Sequence, residues 1–69
     1  MDDHIFYLSM KNYGGHFVKA MAEAYSRADG YNRDRIKDAF PDLVKQYGLG
    51  SYFYGQTWHE HRGSEGSKA

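Results

Sequence analysis

The stretch Gly14–Tyr47, GGHFVKAMAEAYSRADGYNRDRIKDAFPDLVKQY, does most to limit what this chain can become. Its apolar residues recur at helical spacing on both sides of a short polar turn, which predicts two amphipathic helices. In the first, starting near Gly14 or Gly15 and ending about Ala28, one apolar face collects Phe17, Met21, Ala24, Tyr25 and Ala28. Lys19, Glu23 and Arg27 fall opposite, and Glu23 before Arg27 is the favourable order for a pair contributing roughly 0.2–0.5 kcal/mol. Ala20 and Ala24 are small enough to admit another backbone closely. Gly30 stands where a left-handed C-terminal cap is expected.

The second helix is expected to take Asn32 as its N-cap, with Tyr31 and Ile36 as a hydrophobic staple and Asp34 near the positive end of the dipole. The connection Asp29–Asn32 is short, so the helices are neighbours, antiparallel or steeply crossed. Ile36, Ala39, Phe40, Leu43, Val44 and Tyr47 hold helical phase straight through Pro41. Proline cannot donate to the carbonyl of Lys37 and disfavours helical geometry at Phe40. A sharp kink or two short helices, the second starting at Pro41, satisfies both facts. Gly48 should then end the helix, with Leu49 folding back on Val44.

The flanks read as extended. His4–Met10 is rich in aromatic and β-branched types and predicts a strand. Asn12, Tyr13, Gly14 and Gly15 predict a turn after it. Ser51–Trp58 predicts a second extended segment, with Tyr52 and Tyr54 on one face and Phe53 on the other. Paired, the two would form a short antiparallel ribbon. From residue 62 onward only the terminal alanine is apolar, which predicts a disordered tail over 62–69. The expected fold is therefore mainly α: one compact domain over residues 1–61, with two to three helices over a core at 14–47. The second helix is broken or kinked at Pro41, and the extended termini are able to pair.

Composition narrows the function classes. Sixty-nine residues make one domain with a small core. Without cysteine, disulfides and thiolate metal sites are excluded, a composition compatible with a reducing cytoplasm. Asp2 and Asp3 stand where an exporting sequence would carry positive charge, and no apolar run suits a membrane span. A cytoplasmic protein without membrane contact is expected. Nine basic residues balance nine acidic ones, so neither the basic surplus of a nucleic-acid binder nor the acidity of a DNA mimic is present.

His59-Glu60-His61 is the one compact group of metal-ligand types. On a strand, imidazoles two apart share a face, but His4 and His16 are distant in sequence and a site needs about three or four ligands. No metal or cofactor is expected. Gly14-Gly15 could offer free N–H groups to an anion, yet lacks a phosphate-loop lysine and reads better as a hinge. Arg33, Arg35 and Lys37 suggest the reading helix of a helix-turn-helix. Asp34 and Asp38 interleave with them and would repel phosphates. Ser9, Ser26 and Ser51 lack a nucleophile context and no acid–base carboxylate pair stands out, so no enzyme is expected. Aromatics make up 17% of the chain, and those after the helices exceed what a small core needs. Tyr52, Tyr54, Trp58, His59 and His61 are accordingly the expected partner-binding residues.

Leu8 to Gly48 also resembles a pattern of small proteins encoded by bacteriophages and other mobile elements. The matching residues are Gly14-Gly15, Phe17-Val18, Ala20, Ala22, Ala28-Asp29, Asn32, Phe40-Pro41 and Tyr47. The pattern carries no assigned activity, so it transfers no functional residue. By class the chain is similar to anti-CRISPR and other anti-defence proteins. That resemblance implies a non-enzymatic protein that binds a host protein, such as a CRISPR effector subunit, by direct contact. A helix-turn-helix regulator using Arg33, Arg35 and Lys37, and a structural or homo-oligomerisation module, are the alternatives.

Overall fold

A computed structural model describes residues 1–66, with side chains as far as Arg62. Within these residues five helices follow one another: α1 (Asp3–Tyr13), α2 (His16–Arg27), α3 (Gly30–Ala39), α4 (Pro41–Tyr47) and α5 (Tyr52–Gly66). Among the described residues no strand forms. The expected two to three helices with a terminal ribbon are thereby corrected: both segments read as extended are helices. Helix α5 runs on to Gly66, and residues 67–69 of the expected tail lie outside the described residues.

Helix α1 exists because Asp2 caps it. Its carboxylate accepts hydrogen bonds from the amides of His4 at 2.9 Å and Ile5 at 3.2 Å. Ile5, Phe6, Ser9 and Met10 are then all buried, at helical spacing. The strand-forming residue types had masked that period, since side-chain burial outweighs intrinsic preference. The Ser9 hydroxyl is satisfied by the carbonyl of Ile5 at 2.8 Å. Helix α5 has a comparable start: the Ser51 hydroxyl accepts from the Tyr54 amide at 3.2 Å, and Phe53, Tyr54 and Thr57 turn inward.

Gly14 and Gly15 link α1 to α2. A Cβ on Gly14 would lie 2.3 Å from Val18 Cγ1 and 2.6 Å from the Met10 carbonyl oxygen, so only glycine lets the two helices turn this tightly. The hairpin is antiparallel: Lys19 Nζ donates to the Lys11 carbonyl, while Tyr25 at the other end meets Phe6 and Asp3. The face of α2 that packs on α1 is Val18, Ala22 and Tyr25, with Ala22 and Tyr25 fully buried. Phe17 and Ala24 of the expected face look away from it, because the position of α1 selects which side of a broadly apolar helix is covered.

Several cap assignments shift. Asp29, not Asn32, caps α3, accepting from the Asn32 amide at 2.8 Å. Gly30 is the first residue of α3, and Tyr31 is exposed. Pro41 is the first residue of α4, where its missing N–H costs nothing. Gly48 follows α4, but Leu49 is exposed and does not fold back. The left-handed residue is Gly50, with φ of 91°, in the turn before α5.

The core is Ile5, Phe6, Met10, Ala22, Tyr25, Leu43, Tyr47 and Tyr54. Phe6 meets Tyr25 edge to face at 5.0 Å. Beside them Tyr13, Phe53 and Tyr47 stack in series, at 4.9 Å and 5.5 Å, joining α1, α5 and α4. No helix of the described residues is long and apolar enough to cross a membrane.

Candidate functional site

Helix α5 divides its aromatic residues between inside and outside. One residue advances the side chain by about 100° around the axis, so Tyr52 and Tyr54 point nearly opposite ways rather than sharing a face. Tyr54 is only 7% exposed, and its hydroxyl accepts from the Asp2 amide at 3.0 Å, tying α5 to the start of α1. Tyr52, 73% exposed, looks out. The expectation of Tyr52 and Tyr54 as twin surface anchors is corrected accordingly.

Outward from the core, α5 carries Tyr52, Gly55, Trp58, His59 and Arg62. With the turn before it, this face encloses a cleft of about 330 Å³, lined by Leu49, Gly50, Ser51, Tyr54, Gly55, Trp58 and His59. Leu49 is 70% exposed and Trp58 40%, so the walls are two large apolar side chains open to solvent. The floor is the bare backbone of Gly55: no heavy atom comes within 4 Å of where a Cβ would stand there. The Arg62 guanidinium lies 4.8 Å from the centre of the Trp58 ring, bringing positive charge to one end. His59 meets the same indole edge to face at 5.5 Å. The cleft can take an apolar side chain against the helix backbone, with imidazole and guanidinium donors at its border.

His61 lies on another side of α5, its ring 5.8 Å from that of His4. In a helix, residues two apart diverge, so His59 and His61 do not converge on a common ligand. Among the described residues no group of three metal-ligating side chains gathers. Glu60 is engaged by the Tyr13 hydroxyl in a short hydrogen bond, which pushes that phenol above its ordinary 10.0, burial adding to the effect.

The three cations of α3 serve different ends. Arg33 is built into the fold: its Nε donates to the Tyr25 carbonyl at 3.0 Å, and Nη1 lies 3.4 Å from the Asp3 carboxylate. Asp3 also accepts from the Tyr25 hydroxyl at 2.5 Å, so one carboxylate joins α1, α2 and α3. That hydrogen bond, helped by Lys37 and Arg33 and opposed by desolvation, holds Asp3 below its ordinary 3.8. Burial first, then Asp3, pushes the Tyr25 phenol well above 10.0. Lys37 pairs with Asp34 at 3.3 Å. Arg35 points to the other side of α3, towards an open groove of about 430 Å³ between α2 and α3.

Of the residues expected to bind a partner, Trp58 and His59 line the cleft and Tyr52 is exposed outside its lining; Leu49, Gly55 and the α2–α3 groove were not among those expected. One signal for the cleft was present: a glycine inside an aromatic run, where a packed helix would carry a side chain. The groove had none, because it depends on which face of α2 is covered by α1. Comparisons with known proteins found no matching family model, no matching curated protein and no matching solved structure.

Proposed function

We propose that this chain is a non-enzymatic protein-binding module that grips a host protein through the Gly55 cleft. The observation that carries the reading is Gly55 itself. A glycine inside a helix costs about 1 kcal/mol relative to alanine, and nothing in the fold needs one here. Its effect is to leave a gap between exposed Leu49 and Trp58, wide enough for a partner's side chain. Large aromatic residues beside such a gap are the usual energetic centre of an interface.

The resemblance to phage and mobile-element proteins directs the search for that partner to host defence complexes, CRISPR effector subunits first. An inhibitor working in the host cytoplasm by direct contact fits the neutral charge, the absence of cysteine and the exposed aromatic residues. A duplex-binding regulator has less support, since Arg33 is engaged with Asp3 and Lys37 with Asp34.

Affinity capture from host lysate tests the reading with two variants. Gly55→Gln fills the cleft without meeting the fold, and Trp58→Ala removes a wall. Both should keep the helical spectrum and lose the captured partner, Gly55→Gln melting no lower than the parent. A partner retained by both variants, or no partner at all, would sink the proposal.

A further inference from the structure

The groove between α2 and α3 is a second apolar surface, independent of the Gly55 cleft. Ala24 and Ala28 form one wall, and Ile36, Ala39 and Phe40 the other. Phe17, 59% exposed, extends it by packing edge-on against Phe40 at 5.9 Å. Roughly 16 Å of helix axis separates Phe17 from Ala28, a length that accommodates about three turns of a docked helix. Helix α3 buries none of its residues fully: Ile36 packs partly against the core, while Ala39 and Phe40 stay exposed and available.

The charge at the border decides between occupants. Arg27 and Arg35 flank the groove. Arg27 is held by Glu23 at 2.8 Å. Arg35, by contrast, has the Asn32 side-chain oxygen at 3.3 Å and the Tyr31 ring at 5.7 Å, and no carboxylate among the described residues. The lining holds no carboxylate and the nearby Glu23 is taken by Arg27, so a twofold pairing of this face with a second copy would offer Arg35 no counter-charge. A nucleic acid would find a lining of alanine, isoleucine and phenylalanine, and little positive charge for its phosphates. We infer that the α2–α3 groove docks an acidic amphipathic helix of a partner protein. Its apolar stripe covers Phe17, Ala24, Ile36 and Phe40, and a flanking carboxylate pairs with Arg35.

The test uses the full chain and two labelled helical peptides of roughly four turns. Both carry leucines on one face; one has glutamates on the flanks and the other lysines. Fluorescence anisotropy should show the acidic peptide bound at least about tenfold more tightly than the basic one. Arg35→Glu should reverse that preference, and Phe17→Ser should weaken both peptides. Both substituted residues are exposed, so the variants should melt near the parent. Gly55→Gln should leave peptide binding unchanged, which separates this surface from the cleft. Equal binding of the two peptides, or binding of neither up to ~1 mM, overturns the inference. So does a dimer in sedimentation that Phe17→Ser dissolves, or duplex DNA binding that Arg35→Glu abolishes.

Discussion

Helices α1 and α3 have similar lengths and opposite ways of being held. Helix α1 places Ile5, Phe6, Ser9 and Met10 in the interior and is covered by α2, α4 and α5. Helix α3 buries nothing fully: apart from the partial packing of Ile36, it is held by the Asp29 cap, the Arg33 clamp and the Pro41 junction. The interior of this small domain therefore lies around α1, which the sequence presents as a flank. The segment with the most visible helical signals, α3, sits at the periphery. Caps and turn residues mark where a helix starts, whereas burial depends on which other helices reach it.

That contrast can be broken most sharply at Phe6. It is 0% exposed, and Phe6→Ala should cost about 3–5 kcal/mol, close to the whole stability of a domain this size. Urea unfolding should show the variant largely unfolded without denaturant. A midpoint near the parent's would mean that α1 is not the centre of the core.

Gly14→Ala is expected next in size. The close contacts with Val18 and the Met10 carbonyl force the hairpin apart, at about 1–3 kcal/mol. Gly15→Ala meets no neighbouring atom and should be nearly silent, so equal shifts in the urea midpoint would contradict the tight turn.

The clamp on α3 should appear in the pH dependence. Asp3 is held below 3.8 in the folded state, so its contribution is present above that value and fades as pH falls through the lower folded one. Tyr25 is raised above 10.0, so its contribution is present below pH 10 and fades as pH rises further. Asp3→Asn should lower the melting temperature at neutral pH by a loss of about 1 kcal/mol, the carboxylate being partly solvated. It should also flatten the acid limb of the profile. An unchanged acid limb would remove the clamp from the account.

The smallest effect is expected from Asp29→Ala, roughly 0.5–1 kcal/mol for a lost cap. Its signature is local: amide exchange in α3 should accelerate while α1 amides still exchange only by global unfolding. Equal acceleration in both helices would show that α3 is as integral to the core as α1.

Much of the middle of the chain was legible. The break at Pro41, the Glu23–Arg27 pair and the Gly14-Gly15 hinge follow from local chemistry, and each is where its residues place it. The flanks were misread for one reason. Ile5, Phe6, Tyr7 and Leu8 form an unbroken apolar run, and so do Tyr52, Phe53 and Tyr54; short apolar runs fit a strand and a buried helix equally well. The arbiters were present as caps, Asp2 and Ser51, but a capping residue is only as visible as the helix it is expected to start. The misreading carried over to the site, since Tyr54 changes from surface anchor to core residue once strand geometry becomes helical.

By itself the sequence determined some local events: where proline and glycine interrupt the middle of the chain, and that no charge surplus or thiol chemistry is available. These depend on neighbours within a turn or two, which are adjacent in the chain. Tertiary structure alone decided that Val18, Ala22 and Tyr25, rather than Phe17 and Ala24, face the interior. It also decided that Asp3 joins three helices and that Gly55 floors a cleft beside Leu49 and Trp58. Those are consequences of which apolar faces meet, and residues adjacent in the chain do not decide that.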